Sequence, residues 1–248
     1  MSLLSIDYAN DFSRRHGGLL VRPYDTDKLA ALYLHGATYP QPVVGFDHGL
    51  GGSERFAVSR GAVYDRAWFT TGPASYIDTP VSPNDLGPEF TLISLVKRTQ
   101  PTAYSALVSN WGANTSSVTL HYTDANRIQF VLEYPGSGSD VPLGLAASAD
   151  VGVEWEMMTG TILGGSAWLY RRSANVSDYT TLPAPTLDHG GAAPYAIGRL
   201  PQGSWGAGDH IAATIVLAKG VNATAVDGWR QWLQDYMGDH SGGLIDFG

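Results

Sequence analysis

From about residue 61 apolar and polar positions alternate in short runs divided by polar or Gly-rich turns, the pattern of many antiparallel strands. The strongest run, residues 89–97, places Phe90, Leu92, Ser94 and Val96 on one face and Thr91, Ile93, Leu95 and Lys97 on the other. Neither face is strongly polar, so this strand is expected at the centre of a sheet. Residues 117–122 and 127–134 flank Thr123-Asp124-Ala125-Asn126, a hairpin with Asx turn chemistry. Residues 153–162 and 166–171 flank Leu163-Gly164-Gly165, a second hairpin with glycines free to take positive φ. Shorter strands are expected at 62–64, 75–78, 105–109 and 195–198, and a longer one at 210–217.

One helix closes the pattern. Trp229, Trp232, Leu233 and Tyr236 fall at i, i+3, i+4 and i+7, with Thr224 as N-cap, Asp227 near the positive helix end and Gly238 as terminator. Residues 239–248 then read as a polar, Gly-rich tail. Residues 1–60 lack sustained periodicity and carry turn-like clusters such as Tyr39-Pro40-Gln41-Pro42, so they read as an extension or docking arm before a domain at 61–238. Within that extension, residues 28–35 suit either a short strand or one helical turn, and residues 42–46 a short strand.

Composition narrows the function classes. Net charge is −8, and the 15 Lys and Arg residues are scattered, which leaves no basic stripe for nucleic acid. No cysteine is present, so a disulfide framework, a thiolate metal site and a Cys nucleophile all drop out. The first seven residues lack a basic n-region, and no apolar run approaches a membrane span, so neither a secretion signal nor a membrane partner is expected.

The order of these runs resembles the laminin G-like and pentraxin-like branch of the concanavalin A-like lectin and glucanase superfamily. Four phrases carry the resemblance: Tyr76-Ile77-Asp78 followed by the 90–97 strand; Ala106-Leu107-Val108-Ser109-Asn110-Trp111-Gly112; the 153–170 hairpin with Gly160-Thr161 and Gly164; and Ile197-Gly198 leading through a Gly-rich loop to the 211–217 strand and the helix. Leu95 stands where Trp is common, and the hairpin and last strand lack the usual acidic positions. The resemblance implies an all-β chain, a two-sheet antiparallel jelly-roll β-sandwich with one short C-terminal helix. It also allows, without requiring, a calcium ion held by loop oxygens, for which Asn110, Asn114, Asp124 and Asn126 are the candidates.

Catalytic signatures are weak. The E-x-D-x-x-E carboxylate pattern of similar glucanases is absent; Glu154 and Glu156 share a strand face but read as a solvent-facing pair. Neither H-E-x-x-H nor G-x-S-x-G occurs, and the doublets Asp188-His189, Asp209-His210 and Asp239-His240 read as loop composition. Saccharide binding needs an aromatic platform beside directional polar groups. Trp111 next to Asn110, and Trp205 within Gln202-Gly203-Ser204-Trp205-Gly206, are the candidates, set against tryptophans that merely cap the core. Trp155, Trp168, Trp229 and Trp232 lie in regular elements and read as core.

The expectation is therefore a non-enzymatic protein. Its leading form is a bacteriophage virion component, a capsid-decorating or tail-associated subunit. It would contact other virion subunits or a second copy through residues 1–60 and display a sandwich able to bind a surface glycan. The alternatives are an extracellular stand-alone carbohydrate-binding module and a divergent glycoside hydrolase or polysaccharide lyase.

Overall fold

The computed structural model describes residues 28–34, 58–60, 63–64, 68–111, 118–133, 140–146, 154–171, 173–182, 193–200, 205–240 and 243–247. Two antiparallel sheets carry the chain. The first contains β1 (Leu29–Leu34), β3 (Val63–Tyr64), β4 (Phe69–Thr70), β6 (Phe90–Lys97), β11 (Glu156–Leu163), β12 (Ser166–Arg171), β13 (Ser173–Thr181) and β15 (His210–Leu217). The second contains β2 (Val58–Arg60), β5 (Tyr76–Asp78), β7 (Ser105–Ser109), β8 (Val118–Tyr122), β9 (Arg127–Glu133), β10 (Asp140–Ala146) and β14 (Ala196–Ile197). Their spatial orders are β13-β12-β11-β6-β15-β4-β3, with β1 also on β15, and β10-β9-β8-β7-β14-β5-β2. The expected two-sheet sandwich with one C-terminal helix is the fold observed.

β6 lies between β11 and β15, and its two faces feed two separate cores. Phe90, Leu92 and Val96 join Leu120, Phe130 and Ile197 of the second sheet in the inter-sheet core. Ile93 and Leu95 point the other way, into a core completed by helix α1 (Ala223–His240). The first sheet is thus covered on both sides, which is why its central strands are apolar on both faces. Gly160 on β11 marks the closest approach of the sheets: a Cβ there would stand 2.5 Å from the Phe130 ring.

Helix α1 buries Val226, Trp229, Leu233, Tyr236 and Met237 against that outer face. Its N-cap is Asn222, whose Oδ1 accepts the Ala225 amide at 3.0 Å, while Thr224, the expected cap, is exposed in the first turn. The helix also runs past Gly238 to His240; Gly243, at φ 80°, turns the chain and donates to the Gly238 carbonyl. The expected polar tail is corrected in the same place. Ile245 and Phe247 are buried in the second core, and the Leu244 carbonyl accepts the Trp155 indole N–H at 3.2 Å.

Of residues 28–35, for which strand and helical turn stood open, Leu29–Leu34 form the fully buried strand β1, and Val58–Arg60 adds a strand to the other sheet. Both sheets therefore take a strand from the segment expected to be an extension; residues 42–46 lie outside the described residues. β10 and β13, not anticipated, close one side of the sandwich, where Asp178 Oδ2 on β13 accepts the Gly144 amide of β10 at 3.0 Å. Both hairpins form. Gly164 and Gly165 take φ 59° and 75°, whereas the β8–β9 turn is anchored by the Thr123 hydroxyl, with Asn126 left-handed at φ 52°. Trp155 and Trp229 are core as expected; Trp168 and Trp232 are only partly buried, and Trp168 stacks on the exposed Tyr179 at 4.5 Å.

Because Gly160 faces Phe130 with no room for a methyl group, Gly160→Ala is expected to lower the unfolding free energy by about 1–3 kcal/mol. Adding Phe130→Leu should recover part of that loss. Urea titration of the two single variants and the double variant measures the coupling.

Candidate functional site

The aromatic surface lies at the end of the second sheet where β7 begins and β8 ends. Tyr104 precedes β7, and its ring stacks on Trp205 at 4.6 Å between centroids. His121, on the outward face of β8, completes the cluster at 5.3 Å from Trp205 and 6.4 Å from Tyr104. Tyr104 is 39% exposed, Trp205 half-buried and His121 buried. Asp124, exposed at the tip of the β8–β9 turn, hydrogen-bonds with the Tyr104 side chain. Its charge, followed by partial desolvation and that hydrogen bond, holds the Tyr104 phenol above its ordinary range.

The backbone fixes this cluster independently of the rings. The Trp205 carbonyl accepts the Ala106 amide at 2.9 Å, so the 205 loop pairs with the start of β7. Gly206 follows because a Cβ there would stand 2.5 Å from the Gly72 carbonyl carbon. Beneath both loops lies Arg98, buried with its guanidinium over the Tyr122 ring at 4.3 Å. It donates to the carbonyls of Gln100 (3.2 Å), Pro101 (2.8 Å), Ala103 (3.1 Å) and Thr123 (2.7 Å). One cation thereby shapes the loop that presents Tyr104 and the turn that presents Asp124. Burial pushes the Arg98 pKa down while Asp209, Tyr122 and Glu156 hold it up, and an arginine at this starting pKa keeps its proton.

Glu156 is not the solvent-facing carboxylate expected from its strand position. It is 3% exposed, accepts from the Tyr122 hydroxyl at 3.3 Å and pairs with Arg171 Nε at 3.4 Å. Burial, reinforced by the charges of Glu156 and Asp209, pushes the Tyr122 phenol well above its ordinary range, so it serves as a fixed donor. Asp209 is likewise structural: its Oδ1 accepts the Thr99 amide at 2.7 Å, while His210 stacks on Trp68 at 5.4 Å. Asp188 and His189 lie outside the described residues, as do the side chains of Asp239 and His240.

The other sequence candidates separate. Asn110 is buried, and its Oδ1 accepts the Val118 amide at 2.7 Å while its own amide donates to the Val118 carbonyl at 3.1 Å, so it pins β8 to the end of β7. Trp111 is half-buried just beyond, its amide donating to the Ser109 hydroxyl at 3.0 Å. Both stand at the opposite end of β7 from Trp205. Asp124 and Asn126 follow the far end of β8, so the calcium set of Asn110, Asp124 and Asn126 spans the β7–β8 ladder and is not gathered into one site; Asn114 lies outside the described residues. No group of three His, Asp or Glu side chains suited to a metal occurs among the described residues. Tyr104 and His121 were missed by sequence reading. Their only signals were an aromatic in the loop after Pro101 and a histidine on the polar phase of β8.

Burial pushes the His121 imidazole down to about 4, against the pull of its hydrogen bond with Gln129. The unfolded chain takes up this proton near pH 6.5 and the folded chain only near 4, so the imidazole's contribution is complete above pH 6.5 and is lost as pH falls toward 4. Between pH 7 and pH 5 the wild type is expected to lose about 2 kcal/mol more than His121→Gln. Urea midpoints of both proteins at the two pH values give the difference.

No family model and no curated protein matches the sequence. Solved structures do match the fold. The binding domain of botulinum neurotoxin serotype D/C superposes with TM-score 0.62 at 10% identity, over 84% of this chain and 52% of that one. The botulinum neurotoxin type G receptor binding domain gives TM-score 0.62 at 12% identity, over 84% and 52%. A Trypanosoma rangeli sialidase in complex with sialic acid gives 0.58 at 16% identity, over 89% of this chain and 35% of that one. The chain thus spans about half the length of the neurotoxin domains and about a third of the sialidase. At these identities the likeness is one of fold: the chain shares its two-sheet β-sandwich with those proteins.

Proposed function

We propose that this protein is a non-enzymatic binding protein that holds a saccharide against the Tyr104–Trp205 platform. The observation that carries the reading is the stack itself: two rings 4.6 Å apart, the outer one open to solvent, beside the hydrogen-bonding carboxylate of Asp124. A sugar ring offers an apolar face to an aromatic and hydroxyls to a neighbouring acceptor, which is the chemistry present. Among the neighbours in fold, botulinum neurotoxin type C enters cells dependent upon interaction with two ganglioside molecules, and a serotype DC binding domain forms a complex with rat synaptotagmin II. These lend support to a receptor-binding role for the sandwich. The engagement of Glu156 with Arg171 and Tyr122 speaks against the paired-carboxylate hydrolase. We place the protein on a bacteriophage virion, as a tail-associated or capsid-decorating subunit. The grounds are the sequence alone: an acidic, cysteine-free chain with an N-terminal segment of little periodicity.

Glycan-array screening followed by calorimetry tests the reading. Trp205→Ala and Tyr104→Ala are each expected to weaken binding by about 2 kcal/mol, some thirtyfold, with the fold retained because the 205–106 contact is made by the main chain. Reducing-sugar release from the bound glycan should be nil. Binding unaffected by both substitutions would exclude this platform.

A further inference from the structure

Asp124 does more than orient Tyr104. It sits exposed at the tip of a turn whose geometry is fixed elsewhere: the Thr123 amide donates to the Arg127 carbonyl at 2.8 Å, and the Thr123 hydroxyl accepts the amides of Ala125 and Arg127, each at 3.3 Å. Ser105 pairs with Tyr122, and Arg98 donates to the carbonyls of both Ala103 and Thr123, so the turn carrying Asp124 stands next to the loop carrying Tyr104. The donors of the two nearest arginines in sequence are directed at carbonyls. Arg98 is buried, and its Nε and Nη2 donate to four loop carbonyls. Arg127 reaches the Gly144 carbonyl on β10 at 3.1 Å, and the strand order β10-β9-β8-β7 puts that contact on the opposite side of β8 from Trp205. The chain as a whole carries a net charge of −8, which adds a weaker field of the same sign, screened within about 8 Å by physiological salt.

We propose that the platform accepts neutral saccharides and discriminates against those bearing a carboxylate, such as a terminal sialic acid, with Asp124 as the residue that sets the choice. This rests on the reading of Tyr104 and Trp205 as a saccharide platform. The sialic acid bound by the sialidase is a property of that protein, which shares 16% identity with this chain.

Calorimetric titration with lactose and with sialyllactose compares one saccharide with and without the charge. Like charges about 6 Å apart in water-like surroundings repel by the equivalent of roughly threefold in affinity, so sialyllactose is expected to bind at least that much more weakly than lactose. Asp124→Asn keeps an acceptor for Tyr104 while removing the charge, and should bring the two affinities together. Asp124→Lys should reverse their order, and raising the salt concentration should shrink the wild-type difference. Equal binding of both sugars by wild type, lost together in Trp205→Ala, would keep the platform and overturn the role of Asp124. Failure of both sugars and of every neutral glycan on an array to bind would remove the saccharide reading itself, and the inference with it.

Discussion

Burial of the first sheet on both of its faces is the constraint on which the rest of the structure depends. β6 and β15 each send alternate residues into two different cores, so neither core can be repacked without disturbing the strand that bounds the other. The second sheet gives one face to the inter-sheet core and carries His121, Gln129 and Thr119 on the other, with His121 and Thr119 buried there as well. The first sheet thus bounds both hydrophobic cores, and the second carries the aromatic cluster.

Arg98 joins these roles. It follows β6 directly, so its backbone is set by the central strand, while its guanidinium organises loops at the margin of the other sheet. Burying such a charge is costly unless its donors are matched, and here carbonyl oxygens take Nε and Nη2 while the guanidinium lies over the face of Tyr122. Glu156, Arg171 and Asp209 belong to the same internal electrostatic arrangement. Polar groups that resemble catalytic candidates in the sequence are consumed in holding loops still.

Apolar runs on both strand phases made β6 and β15 legible, and the 3.6-residue spacing made the helix legible, because both signals lie within a few residues. β13 was not legible: Ser173–Thr181 is a polar edge strand with little to bury, and its pairing is decided by β12 and by Asp178 reaching β10. Trp205 was visible as a loop aromatic, but its partners Tyr104 and His121 come from distant segments, and no local pattern reports that they meet. Asn110 had the chemistry of a ligand and was spent on the Val118 amide. Glu156 looked like a surface carboxylate because Tyr122 and Arg171, which bury and pair it, belong to other strands.

The pairing of β1 with β15 also governs how the chain must reach this state. Among the described strands these are the first and the last, registered from Leu29 opposite Leu217 to Leu34 opposite Ala213. A contact between such distant segments bears a large loop-closure entropy before it yields any stability, so folding is expected to be slow and non-local. During synthesis the Leu29–Leu34 strand leaves the ribosome long before its partner exists, and its six buried positions must be sheltered until nearly the whole chain has emerged. The strand that completes the central sheet is therefore also the segment most exposed to misassociation on the way there.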